Sequence, residues 1–190
     1  MTLDYTALSA RLHHLPPDRP TRGEGVCCAV AMILRDGAEG VEMLLVQRAE
    51  HPGDPWSGNL GFPGGKREPG DPALRDAAER ETREEIGLDL RTCQYLGFLG
   101  EIEGSHLPVR VACFVYRVGG VPTLVLSEEI ADIFWVPLST LGRSRDQAEV
   151  FFAGECHRVP CFRLDPSRPI LWGLTYRLIE RFLPLVQEVS

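Results

Sequence analysis

The chain has 190 residues, 44% of them hydrophobic and 25% charged, with a net charge of -7 at pH 7. Those proportions give one globular domain with short extensions enough apolar surface for a sizeable core, and exclude collagen-like, low-complexity and coiled-coil chains. The acidic balance excludes unaided binding to nucleic-acid backbones, which depends on basic residues displacing counterions.

Residues 5 to 14 read as a short helix, and Pro16, Pro17 and Pro20 end it in an extended linker. The expected organisation is therefore an N-terminal helix and proline-rich linker over 1–22 and a main domain over 23–190. Apolar runs from Val26 to Leu34 and from Val41 to Val46 flank an Asp36-Gly37 turn and predict a hairpin of buried strands. Glu50 to Pro72, rich in Gly, Pro and Asp, is longer than the usual connection and reads as a functional loop. The helix that follows, Ala73 to Gly87, has explicit ends: Asp71 to cap it, Pro72 at its first position and Gly87 to close it in the left-handed conformation. Further strands are expected over Gln94 to Gly100, Val109 to Val118, Thr123 to Leu126, Ile133 to Val136 and His157 to Phe162. An amphipathic helix starts near Leu171, with Pro184 expected to kink or end it. No internal repeat is present, so the fold class is α/β (α+β mixed), a mixed sheet flanked by a few helices.

The six cysteines, Cys27, Cys28, Cys93, Cys113, Cys156 and Cys161, show no Cys-x-x-Cys spacing and read as reduced, buried side chains. The first residues lack the basic and apolar regions of a leader, and no stretch approaches the roughly 18 apolar residues of a bilayer span. A cytoplasmic protein with no membrane partner is expected; a homodimer is left open.

Chemistry concentrates in Gly61-Phe62-Pro63-Gly64-Gly65-Lys66-Arg67 and the helix after it. At 100° per residue Glu81, Glu84 and Glu85 fall within an arc of about 100°, on the side that carries Leu74, Ala77 and Ala78. The opposite side carries Arg75, Asp76, Glu79 and Arg83, with a Glu79–Arg83 pair at favourable spacing. Two like charges about 6 Å apart repel by roughly 3 kcal/mol at an effective dielectric near 20, so an inward-facing triplet requires compensation. Protonation or Arg80 could supply it, and a solvated helix with incidental acids is the plain alternative, but three hard oxygen donors on one helix face are most simply neutralised by Mg²⁺ or a similar divalent cation. Gly64-Gly65 has no side chains to block close approach, leaving a carbonyl for the cation and N–H groups for a phosphate. Arg48, Lys66 and Arg67 are candidate phosphate contacts, each with a solvated-surface alternative. Trp56 and Phe62 either stack on a base or pack the loop down.

The segment Arg80-Glu81-Thr82-Arg83-Glu84-Glu85-Ile86-Gly87-Leu88 resembles the signature of the Nudix hydrolases, in which a glycine loop leads into an Arg-Glu-x-x-Glu-Glu-x-Gly helix. The family's usual glutamate eight residues before the arginine falls on Pro72, with Asp71 beside it, and Thr82 replaces an aliphatic residue. A one-residue-longer loop with Asp in this place resembles the coenzyme A pyrophosphatase branch. That likeness continues through Leu44-Leu45-Val46-Gln47-Arg48, Phe62-Pro63-Gly64-Gly65, Phe134-Trp135-Val136-Pro137-Leu138 and Leu171-Trp172-Gly173-Leu174-Thr175. Asp54 stands where the branch has an arginine.

The resemblance implies an α-β-α sandwich and Mg²⁺- or Mn²⁺-dependent hydrolysis of a small-molecule diphosphate that joins a nucleoside to another group. Coenzyme A is the first substrate implied, with ADP-ribose or a nucleotide sugar as the rival and a non-hydrolytic nucleotide sensor as the reading from another class. It implies Gly65, Glu81, Glu84 and Glu85 as metal ligands, Arg48, Gly64, Lys66 and Arg67 as substrate contacts, and a general base that is one of the three helix glutamates, Glu81 and Glu84 before Glu85, or one of the loop pair Glu128 and Glu129, with Glu129 the first choice of the pair.

Overall fold

In the computed structural model, which describes residues 3–12, 26–52, 56–105, 108–152 and 154–189, the apolar run from Val26 becomes a twelve-residue strand, β1 (Val26–Gly37). Ala29, Ala31 and Ile33 join one buried cluster and Met32 and Leu34 another, the alternation that a strand covered on both faces requires. Strands β2 (Gly40–Arg48), β3 (Leu60–Gly61), β4 (Gly64–Lys66), β5 (Gln94–Glu103), β6 (Val109–Arg117) and β7 (Ile130–Pro137) complete a seven-stranded mixed sheet. Within it β1 and β6 run parallel and the remaining pairs antiparallel. A second sheet holds β8 (Arg145–Phe152), β9 (Glu155–Phe162) and β10 (Leu171–Trp172).

Among the described residues four α-helices cover the large sheet: α1 (Tyr5–Arg11), α2 (Leu74–Ile86), α3 (Leu138–Arg143) and α4 (Gly173–Gln187). Leu74, Ala77, Ala78 and Ile86 of α2 bury against Ala29, Ala31, Leu44, Val46 and Phe114 on one face. Leu8 of α1, Leu141 of α3 and Leu178, Ile179 and Phe182 of α4 bury against Met32, Leu34, Met43 and Val115 on the other. The result is a helix–sheet–helix sandwich. The N-terminal helix is part of this core: Asp4 caps it through the Thr6 and Ala7 N–H groups, and the Tyr5 hydroxyl donates to Asp36 at 2.8 Å.

The feature that positions the site is a fork. β1 and β2 pair only near their turn, from Leu34↔Met43 to Gly37↔Gly40. Farther from the turn they part, β2 taking β3 as partner through Val46↔Gly61 and Gln47↔Leu60, and β1 taking β4 through Cys28↔Lys66, Ala29↔Gly65 and Val30↔Gly64. The Ala31 N–H donates to the Pro63 carbonyl at 2.9 Å between them. The glycine loop is thus held along its length by ladder hydrogen bonds.

Several elements differ from the sequence expectations. The hairpin turn lies on Ala38-Glu39, since β1 runs on through Asp36-Gly37. Helix α1 ends at Arg11, while His13, His14 and the proline linker lie outside the described residues. Thr123 to Leu126 forms no strand, because the Val125 N–H is spent on the Ile86 carbonyl at the end of α2. Strand β8 and helix α3 lie where no element was expected. Leu171 belongs to β10 rather than to the last helix, and α4 passes through Pro184, which removes one helical hydrogen bond three residues before the helix ends. The cysteines are free, but only Cys113 and Cys161 are buried; Cys27, Cys28 and Cys93 are half-buried and Cys156 is exposed.

Candidate active site

Helix α2 is set down on the fork by its ends and by one arginine. Its N-cap is Ala73, whose N–H donates to the Asp76 carboxylate at 2.9 Å, and Gly87 closes it with a φ of 72°. Asp71, expected as the cap, instead accepts from the Glu68 N–H at 2.8 Å and from the Arg80 guanidinium at 3.0 and 3.1 Å. Asp71 is the acidic partner that Pro72 cannot be, and the Arg80 hydrogen bonds hold its carboxyl below the usual range. Arg80 also donates to Glu81 at 3.1 Å, to Glu84 at 2.9 Å and to the Lys66 carbonyl at 3.1 Å, which makes it a clamp between loop and helix. On the outer face Glu79 pairs with Arg75 at 3.3 Å, in place of the expected Arg83, and accepts from the Tyr116 hydroxyl at 2.9 Å.

The three helix glutamates are graded from inside to outside. Glu85 is 3% exposed. One of its oxygens accepts from the Gly64 N–H at 2.8 Å, and the other lies 3.6 Å from Arg48 Nη1. Burial pushes its carboxyl up to about 7, against the Gly64 and Arg48 contacts and with help from the charges of Glu81 and Glu129. Glu81 is half-buried, and burial also raises its pKa, opposed by Arg80 and reinforced by Glu84 and Glu129. Its carboxylate lies over Gly65, where a Cβ would stand 2.5 Å from the carboxyl carbon. Glu84 is exposed and paired with Arg80, because it falls on the rim of the arc. Glu129 is exposed, and its carbonyl accepts from the Ala49 N–H at 2.8 Å, at the end of β2 next to Arg48.

The fold thus gathers Gly64, Gly65, Glu81, Glu85, Arg48 and Glu129 around one point, with Glu84 at its edge. Gly64 already gives its N–H to Glu85. Arg67 turns away, its guanidinium donating to the Asp71 and Pro72 carbonyls at 2.9–3.2 Å, and Lys66 is exposed at the end of β4. Phe62 is buried and packs the loop, whereas Trp56 is exposed. The clamp partner Asp71 was not singled out as such, although its place beside the vacant glutamate position signals it.

The donor set suits a hard divalent cation: two carboxylates and the carbonyl of an unobstructed glycine, in a place where burial and mutual repulsion leave negative charge under-compensated. Among the described residues no three acidic, histidine or cysteine side chains are already closed into a cage; Arg80 holds Glu81 and Glu84 from the side. Substituting Gly65→Ala is expected to push Glu81 aside and to lower turnover roughly 100-fold, the scale of an ångström-sized misplacement at a reacting centre. Steady-state kinetics beside an unchanged circular dichroism spectrum checks this.

This arrangement, a glycine loop woven beside an acidic helix in a helix–sheet–helix sandwich, is matched by the NUDIX domain family over residues 27–153. A Yersinia pestis protein described as an uncharacterized Nudix hydrolase, NudL, is 32% identical over 151 residues, covering 78% of this chain and 72% of that one. An uncharacterized protein of Schizosaccharomyces pombe is 34% identical over 108 residues, covering 52% of this chain and 32% of its own, so the chain spans about a third of that relative. The fold is shared with the NUDIX domain of Shewanella oneidensis NrtR, solved with ADP ribose, at a TM-score of 0.56 and 17% identity over 86% of this chain and 89% of that one. The chain belongs to the Nudix family. It is a hydrolase of phosphorus-containing anhydrides that acts on nucleoside diphosphate-linked substrates, in a family that uses divalent metal ions.

Proposed function

We propose that the protein is a Mg²⁺- or Mn²⁺-dependent pyrophosphohydrolase whose substrate is coenzyme A or a related derivative. The observation that carries the chemistry is the pair Glu81 and Glu85, one turn apart and under-compensated, facing Gly64-Gly65. The coenzyme A reading is supported by the branch-like segments around Arg48, Phe62, Trp135 and Trp172 and by the longer loop in which Asp71 answers Arg80. Asp54, in place of the branch's arginine, lies outside the described residues. ADP-ribose is the second reading, favoured by the ligand in the NrtR structure.

Glu81, Glu85 and the Gly65 carbonyl would hold the cation, with Glu84, paired with Arg80, at the edge of the site. When bound, the cation neutralises the diphosphate and makes the attacking water more acidic. Glu129 takes the proton that the water loses, and Glu81 or Glu84 are the alternative acceptors. Water oxygen bonds to phosphorus, the anhydride P–O bond breaks, and the leaving phosphate keeps the electron pair, giving a nucleotide and a phosphorylated remainder. Arg48 and Lys66 bring positive charge toward the substrate's phosphates; Arg48 also keeps Glu85 oriented. The setting is cytoplasmic, where six free thiols are stable.

Incubation with coenzyme A, ADP-ribose, a nucleotide sugar and a dinucleotide, with Mg²⁺ or with chelator, tests this by chromatography of the products. Mg²⁺-dependent cleavage with coenzyme A fastest is the expected result. Preference for ADP-ribose replaces the first substrate with the second, and turnover undiminished by chelator overturns the metal assignment.

A further inference from the structure

We infer that Ser127 is a positioning residue that ties the loop glutamate Glu129 to the catalytic helix; the inference rests on the reading of Glu129 as proton acceptor. The segment between β6 and β7 has no helix or strand, and two of its backbone N–H groups, those of Val125 and Ser127, are directed at the end of α2. The Ser127 N–H donates to the carbonyl of Glu85 at 2.9 Å. The Ser127 hydroxyl oxygen accepts from the Glu129 N–H at 3.3 Å, and its carbonyl accepts from the Ile130 N–H at 3.3 Å. The Glu129 carbonyl accepts from Ala49, the neighbour of Arg48, and the Arg48 guanidinium returns to the Glu85 carboxylate at 3.6 Å.

These contacts close a ring: Glu85 backbone, Ser127, Glu129, Ala49, Arg48, Glu85 side chain. A glutamate on an exposed turn would otherwise sample many positions, and ordering it during the reaction costs rate. Two features keep the ring in register. Val125 donates its N–H to the Ile86 carbonyl at 3.0 Å, so the last two residues of α2 are both engaged by the segment. Gly87, with a φ of 72°, leaves the space into which Val125 packs, since a Cβ there would stand 3.3 Å from the valine side chain. A short side-chain oxygen at 127 is what lets one residue face the helix with its N–H and the glutamate with its hydroxyl. Alanine removes the second contact and threonine keeps it.

The test compares Ser127→Ala, Ser127→Thr, Glu129→Gln and the Ser127→Ala/Glu129→Gln double variant. Each is assayed on whichever of coenzyme A, ADP-ribose, nucleotide sugar and dinucleotide the wild type cleaves fastest, with Tm and Mn²⁺ affinity by paramagnetic resonance alongside. The expected pattern is a kcat about tenfold lower in Ser127→Ala with KM within about twofold, Tm and Mn²⁺ affinity as in the wild type, and kcat restored in Ser127→Thr. Glu129→Gln is expected to lose about 100-fold, and the double variant no more than Glu129→Gln alone, because the serine acts through the glutamate. Wild-type kcat in Ser127→Ala, a lowered kcat that threonine does not restore, or additive losses in the double variant each overturn the role of Ser127 while leaving Glu129 in place. Full activity in Glu129→Gln overturns the reading of Glu129 itself, and cleavage of no member of the panel overturns the proposed function.

Discussion

A Glu85→Gln variant will lose roughly 100- to 1,000-fold in turnover, the scale seen when one preorganised electrostatic contact to a transition state is removed, and will be more stable than the wild type when metal is stripped at pH 8. Both effects come from the same carboxylate. It is 3% exposed, and its folded-state pKa is raised from 4.5 to about 7. Because the raised group binds its proton more tightly in the folded state, its contribution to stability is greatest below pH 4.5 and declines as pH rises through 7. At 1.36 kcal/mol per unit, charging Glu85 in the folded protein costs about 3 kcal/mol above that window. Glutamine keeps an oxygen for the Gly64 N–H and has nothing to titrate. Denaturant unfolding of the two proteins in chelator, at pH 8 and at pH 4.5, should therefore show a gap of about 3 kcal/mol that closes on the acid side. Adding Mg²⁺ at pH 8 should raise the wild type and leave the variant where it is. A variant that is both inactive and less stable at pH 8 without metal would mean that Glu85 is a structural acid and no ligand.

The second large effect is expected at Gly64→Ala. The neighbouring glycines differ in what surrounds them. At Gly65 the obstacle to a side chain is the Glu81 carboxylate, the far end of a flexible chain. At Gly64 a Cβ would lie 2.3 Å from the Ala29 carbonyl oxygen and 2.6 Å from the Val30 Cα, both backbone, and its φ of 141° is one that L-residues rarely adopt. Relief would require β4 to leave β1 and with it the whole side of the fork. The loss should be about 4 kcal/mol or more, a large share of a typical domain's stability. Thermal unfolding separates the pair: Gly64→Ala should lower Tm by at least about 10 °C, and Gly65→Ala should keep Tm while losing turnover. Equal Tm in the two would show that the fork tolerates distortion.

What sequence reasoning could and could not reach follows from how each residue is used. The acidic helix was readable because its caps, periodicity and charge agree, and Leu74–Ile86 forms within one residue of the expected start and end. The grading of its glutamates was not, since helix angles place Glu84 and Glu85 on one arc and only the packing of α2 against β1 and β4 puts one in the core and the other in water. Strand β8 was missed because Arg145-Asp146-Gln147-Ala148-Glu149 carries no apolar alternation: it is an edge strand, paired only with β9 in the small sheet. Thr123 to Leu126 misled for the opposite reason, having strand-like residues of which Val125 gives its N–H to the end of a helix. Asp71 illustrates competition for one side chain, as a cap-forming residue is taken by the nearby Arg80 instead.

Because residues 60–66 are laced into two ladders at once, this stretch has no freedom to reshape itself for a different ligand. Diversification of what the enzyme accepts has to enter from the periphery: residues 50–52 and 56–58, the segment that presents Glu129, and the hairpin of β8 and β9, whose Phe152 stacks edge-on to Trp172. Directed evolution of new selectivity is best confined to those three borders, with the diglycine and its strands left as a fixed chassis.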